Sequence, residues 1–374
     1  MLGTITLMLF QAMAVAATTP VPAPPSLNAR GYIMVEHFSG EVLAKNNPDQ
    51  RLEPASLTKL MTAYVTFSEL KQGKLGLNDL VTVSEKAWRT PGSRMFIEVG
   101  KQVSVEDLLL GMIVQSGNDA SVTLAEHVAG TEESFADLMN HYAAELGMTG
   151  SHFENSTGLP SPEHYSTATD MATLARALID RFPDYYRWYA QREFTYNDIT
   201  QHNRNTLLWR DASVDGLKTG HTEAAGYCLV ASAKRGDMRL ITVVMGTPSE
   251  KARADSSQAL MNYGFRFFET HRLYEAGQPL ERGRIWKGET EELPVGLAED
   301  FFVTIPRGRY DDLKATMDMR SQLVAPVAAQ EVVGKVSVTL DEKPLAEKPL
   351  HALAAVAEGG IFRRISDTVL LWFE

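Results

Sequence analysis

The chain has 374 residues, of which 44% are hydrophobic and 22% are charged. This composition is that of a globular protein long enough for more than one domain, and it excludes an intrinsically disordered chain. The formal net charge is -11 and the sequence pI is near 5.4, and no basic stripe or RNA-binding aromatic motif is present. We therefore expect no nucleic-acid partner.

The N-terminus carries an apolar run from about Ile5 to Val15, followed by small residues and a proline-rich stretch. This layout is typical of a secretory signal peptide, which we predict over residues 1–17, although no Lys or Arg precedes the apolar run. A buried N-terminal helix is the alternative, and the proline-rich linker disfavours it. Export implies oxidising surroundings, yet Cys228 is the single cysteine, so no internal disulfide can form and we expect this side chain to pack as a small hydrophobe.

Residues 18–275 form the predicted first domain, in which strand and helix patterns alternate. The predicted elements are, in chain order, a hairpin around Ser39-Gly40, a helix from near Ser56 to Gly73, helices from about Val103 to Gly147 that are broken at 116–118, strands between Asp215 and Gly246, and a helix over about 249–268.

Residues 276–356 consist of short β-like runs separated by turn residues, which predicts a small all-β sandwich as a second domain. Residues 357–374 predict an amphipathic helix, with one apolar face and one polar face. The apolar face comprises Ile361, Phe362, Ile365, Val369, Trp372 and Phe373, and the polar face comprises Arg363, Arg364, Ser366, Asp367 and Glu374. A helix of this length is too short to span a bilayer, which takes about 20 residues, so we predict that it lies in a membrane interface. Docking on its own domain is the alternative.

The stretch PASLTKLMTAY places Ser56 three residues before Lys59 on a predicted helix, so the two side chains share one face. A lysine can activate a serine hydroxyl only when the amine is neutral, which requires a pKa well below its ordinary value of about 10.4. The alternative is that Ser56 only caps the helix. A second pair with this spacing, Ser68 and Lys71, shows that the spacing alone carries little information.

Two further motifs strengthen the case for a catalytic serine. Ser116-Gly117-Asn118 interrupts a predicted helix, where it would present a hydroxyl and an amide to a cleft, and a plain surface turn is the alternative. Lys218-Thr219-Gly220 lies on a predicted strand, with an ordinary hairpin end as the alternative. All three motifs in this order are difficult to assign to chance.

The motifs SLTK, SGN and KTG resemble those of the penicillin-recognising serine enzymes. The chain is most similar to the low-molecular-mass D-alanyl-D-alanine carboxypeptidases of Gram-negative bacteria, and the resemblance covers nearly all of it. Further matching stretches are NRNTLLW, VDGLKTGHTEAAGY, GFRFFET and VTIPRGR. The resemblance implies an α/β catalytic domain with an antiparallel sheet flanked by helices, a small all-β domain and a C-terminal amphipathic helix.

The family also implies roles for the catalytic residues. Ser56 would attack the carbonyl of the terminal D-Ala-D-Ala bond, and Lys59 would be the general base. Ser116 would relay a proton to the leaving amine, and Asn118 would hold the substrate backbone. Lys218 would supply positive charge and help to keep Lys59 neutral.

The substrate-binding residues implied by the resemblance surround these groups. The backbone N–H groups of Ser56 and His221 would form the oxyanion hole. Thr219 and Arg253 would bind the terminal carboxylate. The remaining residues predicted near the cleft are Gly220, Arg204 and Asp170. The loop SEKAWRTPGSRMF is shorter than in similar proteins, which leaves the deacylation rate open.

The expected partners are peptidoglycan stem peptides ending in D-Ala-D-Ala, β-lactam antibiotics and a membrane surface at the periplasmic face of the bacterial inner membrane. We expect no metal and no cofactor, since His127 and His141 do not match the H-E-x-x-H zinc motif. Two alternatives are a class A-like β-lactamase and a membrane-tethered scaffold with little turnover. The nearest match to the E-x-x-L-N pattern of class A β-lactamases is EFTYN, Glu193 to Asn197, which lacks the leucine.

Overall fold

The computed structural model describes residues 20–372, so the predicted signal peptide at 1–17 lies outside the described residues. Within the described range the strands are β1 (Gly31–Glu36), β2 (Val42–Asn46), β3 (Leu80–Thr82), β4 (Gln102–Ser104), β5 (Glu193–Tyr196), β6 (Ile199–His202), β7 (Val214–Thr222), β8 (Gly226–Arg235), β9 (Met238–Thr247), β10 (Phe268–Tyr274), β11 (Pro279–Trp286), β12 (Glu292–Gly296), β13 (Phe301–Pro306), β14 (Leu313–Met319), β15 (Leu323–Val324), β16 (Val332–Leu340) and β17 (Lys343–Ala352). The helices are α1 (Lys59–Lys71), α2 (Glu85–Arg89), α3 (Val105–Val114), α4 (Asn118–Ala129), α5 (Glu132–Glu145), α6 (Ala168–Arg181), α7 (Pro183–Tyr186), α8 (Leu207–Arg210), α9 (Glu250–Phe267) and α10 (Ile361–Leu370).

A five-stranded sheet in the order β2-β1-β9-β8-β7 organises the N-terminal part, and every neighbouring pair in it is antiparallel. Its central strands read as continuous apolar runs because helices cover both faces. Alternate residues such as Val230 and Ile241 join the core around α1, whereas Leu229 and Leu240 join the core beneath α9. The predicted antiparallel sheet flanked by helices is confirmed.

Helix α1 runs through the centre of this part of the protein, and its side chains from Lys59 to Ser68 are buried. A 3-10 turn, Ala55–Thr58, precedes it and carries Ser56. The predicted break at 116–118 separates α3 from α4, and Ser116 there adopts a positive φ of 70°. Both features place a serine next to a buried helix end, as the sequence pattern indicates.

The C-terminal part is all β. Its six-stranded sheet has the order β14-β16-β17-β12-β11-β15, with β11 and β15 parallel and the other neighbours antiparallel, and β10 pairs with β13 in a separate ladder. Residues such as Leu293, Val303 and Val336 form its own hydrophobic core. Strand β10 therefore belongs structurally with the second domain, although the predicted boundary at 276 falls after it.

Helix α10 packs on the second domain through its polar side. Asp367 accepts a 2.5 Å hydrogen bond from the backbone N–H of Lys287, and Arg364 pairs with Glu358. The apolar side faces outward, with Phe362 87% exposed and Trp372 79% exposed. The helix thus does dock on its own domain, as the alternative expected, but it does so through its polar side and leaves the apolar side exposed. Among residues 20–372, no helix is both long and apolar enough to cross a membrane.

Candidate active site

A cleft of about 360 Å³ lies where α1, the α3–α4 break and strand β7 meet. It brings together residues that are far apart in the chain and that include most of those predicted from the three motifs. The residues lining it are Ser56, Gly92, Ser93, Ser116, Asn118, Thr157, Gly158, Leu159, Arg204, Thr219, Gly220, His221, Thr222, Tyr227, Glu250 and Arg253.

The Lys59 amine at the base of the cleft contacts three oxygen atoms. Its Nζ lies 3.1 Å from Ser56 Oγ, 2.7 Å from Asn118 Oδ1 and 2.6 Å from the carbonyl oxygen of Thr157. Asn118 is oriented by its Nδ2, which donates to the carbonyl of Pro91 at 2.6 Å, so that its oxygen faces the amine. The two oxygens other than Ser56 Oγ can only accept hydrogen bonds.

Burial sets the protonation of Lys59. The side chain is 1% exposed, and burial followed by the charge of Arg204 lowers its pKa from 10.5 to about 7, while Asp119 and Glu132 oppose the shift. A large fraction of this lysine is therefore neutral near pH 7, as a general base requires. Arg204 is thus one charge that favours the neutral form of Lys59. Lys218, to which the resemblance assigns this role, also acts in this direction, because repulsion between the two amines disfavours the charge on each of them.

Ser56 lies in the 3-10 turn and does not cap a helix. Pro54 and Thr58 occupy the N-cap positions of the turn and of α1, and neither makes a side-chain capping bond. The alternative of a capping role for Ser56 is therefore wrong. The second S-x-x-K pair, in contrast, does not form a comparable serine–lysine pair. The Ser68 hydroxyl donates to the carbonyl of Tyr64, and Lys71 is exposed.

Strand β7 passes directly beside the turn that carries Ser56. A Cβ atom built on Gly220 would lie 3.2 Å from the backbone nitrogen of Ser56 and 3.0 Å from the carbonyl oxygen of Pro54. Glycine therefore allows the strand to approach this closely. The next residue, His221, is exposed at the cleft and stacks on Tyr227 with ring centroids 3.9 Å apart.

Lys218 lies on the same strand and is buried. Its Nζ donates to the carbonyl of Thr219 at 2.9 Å. Burial lowers the pKa of Lys218 well below its ordinary value, and the charges of Lys59, Arg204 and Arg253 lower it further. These effects oppose the positive charge predicted on Lys218, and an anion bound beside it would offset them.

Two guanidinium groups give the cleft a positive end. Arg253 is buried and donates through Nη1 to the carbonyl of Gly220 at 3.2 Å, and its Nη2 lies 3.6 Å from Glu250. Arg204 is exposed at the opening. Thr219, also in the lining, adds a hydroxyl near them. This end of the cleft suits a carboxylate.

Asp170 lies outside the cleft. Its backbone N–H is capped by Thr167 at the start of α6, and its carboxylate accepts from the N–H of Gly150 and the hydroxyl of Ser151. Burial raises the pKa of this carboxyl group. In this position Asp170 stabilises a helix terminus and a loop, so the geometry contradicts its predicted place among the substrate-binding residues.

Asp119, which the sequence did not single out, holds a loop that lines the cleft. It is buried and accepts hydrogen bonds from the backbone N–H groups of Met95 at 3.0 Å and Phe96 at 3.0 Å. These contacts hold the loop whose residues Gly92 and Ser93 line the cleft. One feature of the sequence could have indicated Asp119. It is an acidic residue directly after the SGN motif, in the first turn of α4, where the helix dipole favours negative charge.

Replacing Asp119 with alanine is expected to lower the free energy of unfolding by about 1–3 kcal/mol, because buried N–H groups lose their acceptor. The drop in melting temperature relative to the wild type would measure this. Asp137→Ala, at an exposed position on α5, is the control and should leave the melting temperature nearly unchanged. Equal effects of the two variants would contradict the anchoring role of Asp119.

The chain matches known families along most of its length. Residues 17–249 match a family profile described as D-alanyl-D-alanine carboxypeptidase, of peptidase family S11, and residues 268–358 match one described as penicillin-binding protein 5, C-terminal domain. The chain is 46% identical to D-alanyl-D-alanine carboxypeptidase DacC of Escherichia coli, over 99% of this chain and 94% of that protein. It is 44% identical to DacA of the same organism, over 95% of this chain and 90% of that protein.

Solved structures agree with these matches. Penicillin binding protein 5 from Haemophilus influenzae is 43% identical with a TM-score of 0.87, and the match covers 90% of this chain and 100% of that one. A penicillin-binding protein from Listeria monocytogenes in its ampicillin-bound form is 29% identical with a TM-score of 0.61, covering 65% of this chain and 100% of that one. The chain therefore belongs to the serine-type D-alanyl-D-alanine carboxypeptidases of the penicillin-binding protein 5 type.

Proposed function

We propose that Ser56 is the nucleophile of this D-alanyl-D-alanine carboxypeptidase and that Lys59 is its general base. The main support for this proposal is the set of three oxygen atoms that surround Lys59 Nζ. A neutral amine has two N–H groups and one lone pair. Asn118 Oδ1 and the Thr157 carbonyl take the two N–H groups, since neither can donate, and the lone pair is left facing the Ser56 hydroxyl.

In the proposed reaction, Ser56 Oγ forms a bond to the carbonyl carbon of the penultimate D-alanine while its proton passes to Lys59. The carbon–nitrogen bond then breaks, and Ser116 relays a proton to the departing D-alanine amine. Water hydrolyses the resulting ester and restores the free hydroxyl. Support for the part of Ser116 comes from its place in the cleft lining and its positive φ of 70°, since unusual backbone geometry clusters at functional sites.

The backbone N–H groups of Ser56 and His221 are proposed as the oxyanion hole. The close approach of β7 to the nucleophile's turn at Gly220 supports this pairing. Loss of one such donor typically costs about 100- to 1000-fold in rate. The developing negative charge would then lie between the turn and the strand, next to the Ser56 hydroxyl.

The positive end of the cleft is proposed to bind the terminal carboxylate of the substrate. Arg253, Arg204 and the Thr219 hydroxyl supply charge and hydrogen-bond donors there. Lys218 would gain its proton when the carboxylate arrives, because a bound anion offsets the burial and neighbouring charges that lower its pKa. Peptidoglycan stem peptides that end in D-Ala-D-Ala carry such a carboxylate, and so do β-lactam antibiotics, which would acylate Ser56 in the same way.

A class A-like β-lactamase is the alternative, and the position of its candidate glutamate disfavours it. Glu193 lies on the exposed β5–β6 hairpin, where it pairs with His202 at 3.6 Å, and it does not line the cleft. A glutamate in that place cannot activate a water molecule at Ser56. The other alternative, a scaffold with little turnover, shares the same nucleophile and differs only in the deacylation rate.

The test is release of D-alanine from diacetyl-L-Lys-D-Ala-D-Ala by the wild type and by Ser56→Ala, with Ser68→Ala as the matched control on the other S-x-x-K pair. Steady release by the wild type and the control, absent in Ser56→Ala, would support the proposal. Release by Ser56→Ala would overturn it. Covalent labelling of the wild type by penicillin without D-alanine release would favour the scaffold.

Penicillin acylation of the wild type is expected to rise about tenfold per pH unit below pH 7 and to level off above it, because only neutral Lys59 acts as base and its pKa is about 7. Burial disfavours the charged Lys59 amine and so lowers its pKa. The neutral base is therefore available at a lower pH than for an exposed lysine. Rates of acylation between about pH 5.5 and pH 9 would measure the midpoint. A midpoint near the ordinary lysine value would contradict the assignment.

Export and membrane attachment complete the proposal. The predicted signal peptide would direct the chain to the periplasm, and α10 would hold it on the outer face of the inner membrane. Support comes from the exposed apolar side of α10 and from its polar contacts with the second domain, which leave that side free. We also propose that the chain divides into two domains as predicted, with the boundary moved from residue 276 to the start of β10 at Phe268, because β10 pairs with β13.

Co-sedimentation of the purified protein with anionic phospholipid vesicles tests the attachment. Wild-type protein should sediment with the vesicles. The double variant Phe362→Ser, Ile365→Ser should stay in solution, because it lacks apolar area that the membrane would bury. Ile199→Ser removes another exposed apolar side chain, 40% exposed, from the β5–β6 hairpin and should behave as wild type. Unchanged sedimentation of the double variant would overturn the proposal.

A further inference from the structure

The Thr157 carbonyl that accepts from Lys59 lies on a segment, residues 154–158, that has no helix or strand to hold it. Its position depends on side-chain contacts. Asn155 Oδ1 accepts from the backbone N–H groups of Thr157 at 3.1 Å and Gly158 at 2.7 Å. The Thr62 hydroxyl donates to the carbonyl of Ser156 at 2.6 Å. These contacts fix the C-terminal half of the segment.

The N-terminal end of the segment is held by His164. Its Nδ1 accepts from the backbone N–H of Glu154 at 3.0 Å, so this nitrogen carries no proton. The proton is therefore on Nε2, which donates to the Thr58 hydroxyl at 2.8 Å. Thr58 is the last residue of the turn that carries Ser56 and directly precedes Lys59. One imidazole ring thus joins the segment to the nucleophile's turn.

The ring is held in this neutral tautomer by its surroundings. His164 is 3% exposed, and burial lowers its pKa to about 4, with His152 and Lys59 acting in the same direction and Glu154 opposing them. Protonation would place a second donor on Nδ1, facing the Glu154 N–H, and would break the contact. The bridge therefore stays intact at the pH values where Lys59 acts as a base.

We propose that His164 is a positioning residue for Lys59, which it serves by bridging Thr58 to the segment that presents the Thr157 carbonyl. The inference rests on the proposed role of Lys59 as general base. Without the bridge, the Glu154 end of the segment is no longer tied to Thr58, so the Thr157 carbonyl and the Ser56 turn are held less precisely relative to each other. The lone pair of the neutral amine is then directed less precisely at the Ser56 hydroxyl. The effect falls on the chemical step, since His164 is not among the residues that line the cleft.

Three variants separate the two ends of the bridge. In His164→Asn the side-chain oxygen can replace Nδ1 but nothing reaches Thr58. In His164→Gln the amide nitrogen can replace Nε2 but the contact with Glu154 is lost. Thr58→Val removes the hydroxyl at nearly constant shape, which keeps the test valid if a histidine variant folds poorly. His152→Asn is the control, because His152 lies on the same loop and bonds to Glu163 instead.

The measurement is the penicillin acylation reaction resolved into its binding constant and its first-order acylation rate, with melting temperatures alongside. The three variants should acylate roughly 10- to 100-fold more slowly with little change in binding, as expected for a small misplacement of a catalytic group. His164→Asn combined with Thr58→Val should be no slower than the slower single variant, because both remove the same hydrogen bond.

Acylation rates within twofold of wild type, with only the melting temperature lowered, would overturn the bridge and leave His164 a purely structural residue. An equal loss in His152→Asn would overturn it as well. Failure of the underlying mechanism would appear differently, as acylation that persists in Ser56→Ala or as a label on another residue.

Discussion

Replacing Lys59 with methionine is expected to slow acylation of Ser56 by about 100- to 10,000-fold, the usual contribution of a general base. Methionine fills much of the same buried space but has no lone pair that could take the serine proton. The Asn118 oxygen and the Thr157 carbonyl would lose their common donor, so a loss of stability is expected too. Stopped-flow or quenched labelling with penicillin would give the acylation rate, and a melting curve the stability.

The chain provides a matched control on the same helix. Lys71 also follows a serine at the S-x-x-K spacing, but it is exposed and donates to the carbonyl of Arg181 at 3.1 Å. Lys71→Met should therefore acylate at the wild-type rate. If Lys59→Met retained more than about a tenth of the wild-type rate, another group would have to take the serine proton, and the assignment of the base would be wrong.

The features predicted correctly from the sequence depend on local spacing. A separation of three residues brings Ser56 and Lys59 to one face of a helical turn, and the structure places Lys59 Nζ 3.1 Å from Ser56 Oγ. An interruption of the helical apolar spacing marks the α3–α4 break, and two apolar runs separated by a turn around residues 234–237 mark β8 and β9. The family motifs added the order of these pieces around one cleft, which the periodicity of the sequence could not supply.

The residues that were missed act through contacts distant in the chain. Thr157 lies 98 positions after Lys59 and contributes only a carbonyl oxygen, which every residue type has. His164 meets Thr58 across 106 positions, and a single histidine between two turns gives no sign of that partner. The prediction for Asp170 was wrong for the converse reason, since a match along the chain does not reveal whether a carboxylate points into a cleft or binds a neighbouring loop, as that of Asp170 does at Gly150 and Ser151.

Helix α10 shows the same limit in the second domain. The spacing of its apolar residues predicted an amphipathic helix with a broad apolar face. Which face packs against the protein depends on Asp367 meeting the Lys287 N–H and on Arg363 lying 3.4 Å from Glu291, both of them contacts between distant residues. Only the three-dimensional arrangement shows that the apolar face is the free one.

Replacing Gly158 with alanine is expected to lower the free energy of unfolding by about 2–5 kcal/mol and to abolish most of the acylation activity. Gly158 has a φ of +82°, where an L side chain costs about 1–2 kcal/mol. The added Cβ would also overlap the carbonyl oxygen of Ala55 and lie 2.8 Å from Thr58 Oγ1. Two backbone segments would have to separate, and one of them carries Ser56, so the nucleophile would move as the collision is relieved.

Gly147→Ala separates these two causes. Gly147 has a similar φ of +73°, but no atom lies within 4 Å of a Cβ built on it. This control should show the backbone cost alone, about 1–2 kcal/mol, with normal acylation. The difference between the two variants, measured by denaturant unfolding and by penicillin acylation, is then the effect of the collision with the Ser56 turn. Equal losses in both variants would mean that the turn yields without cost, and that the close packing of Gly158 on Ala55 does not position the nucleophile.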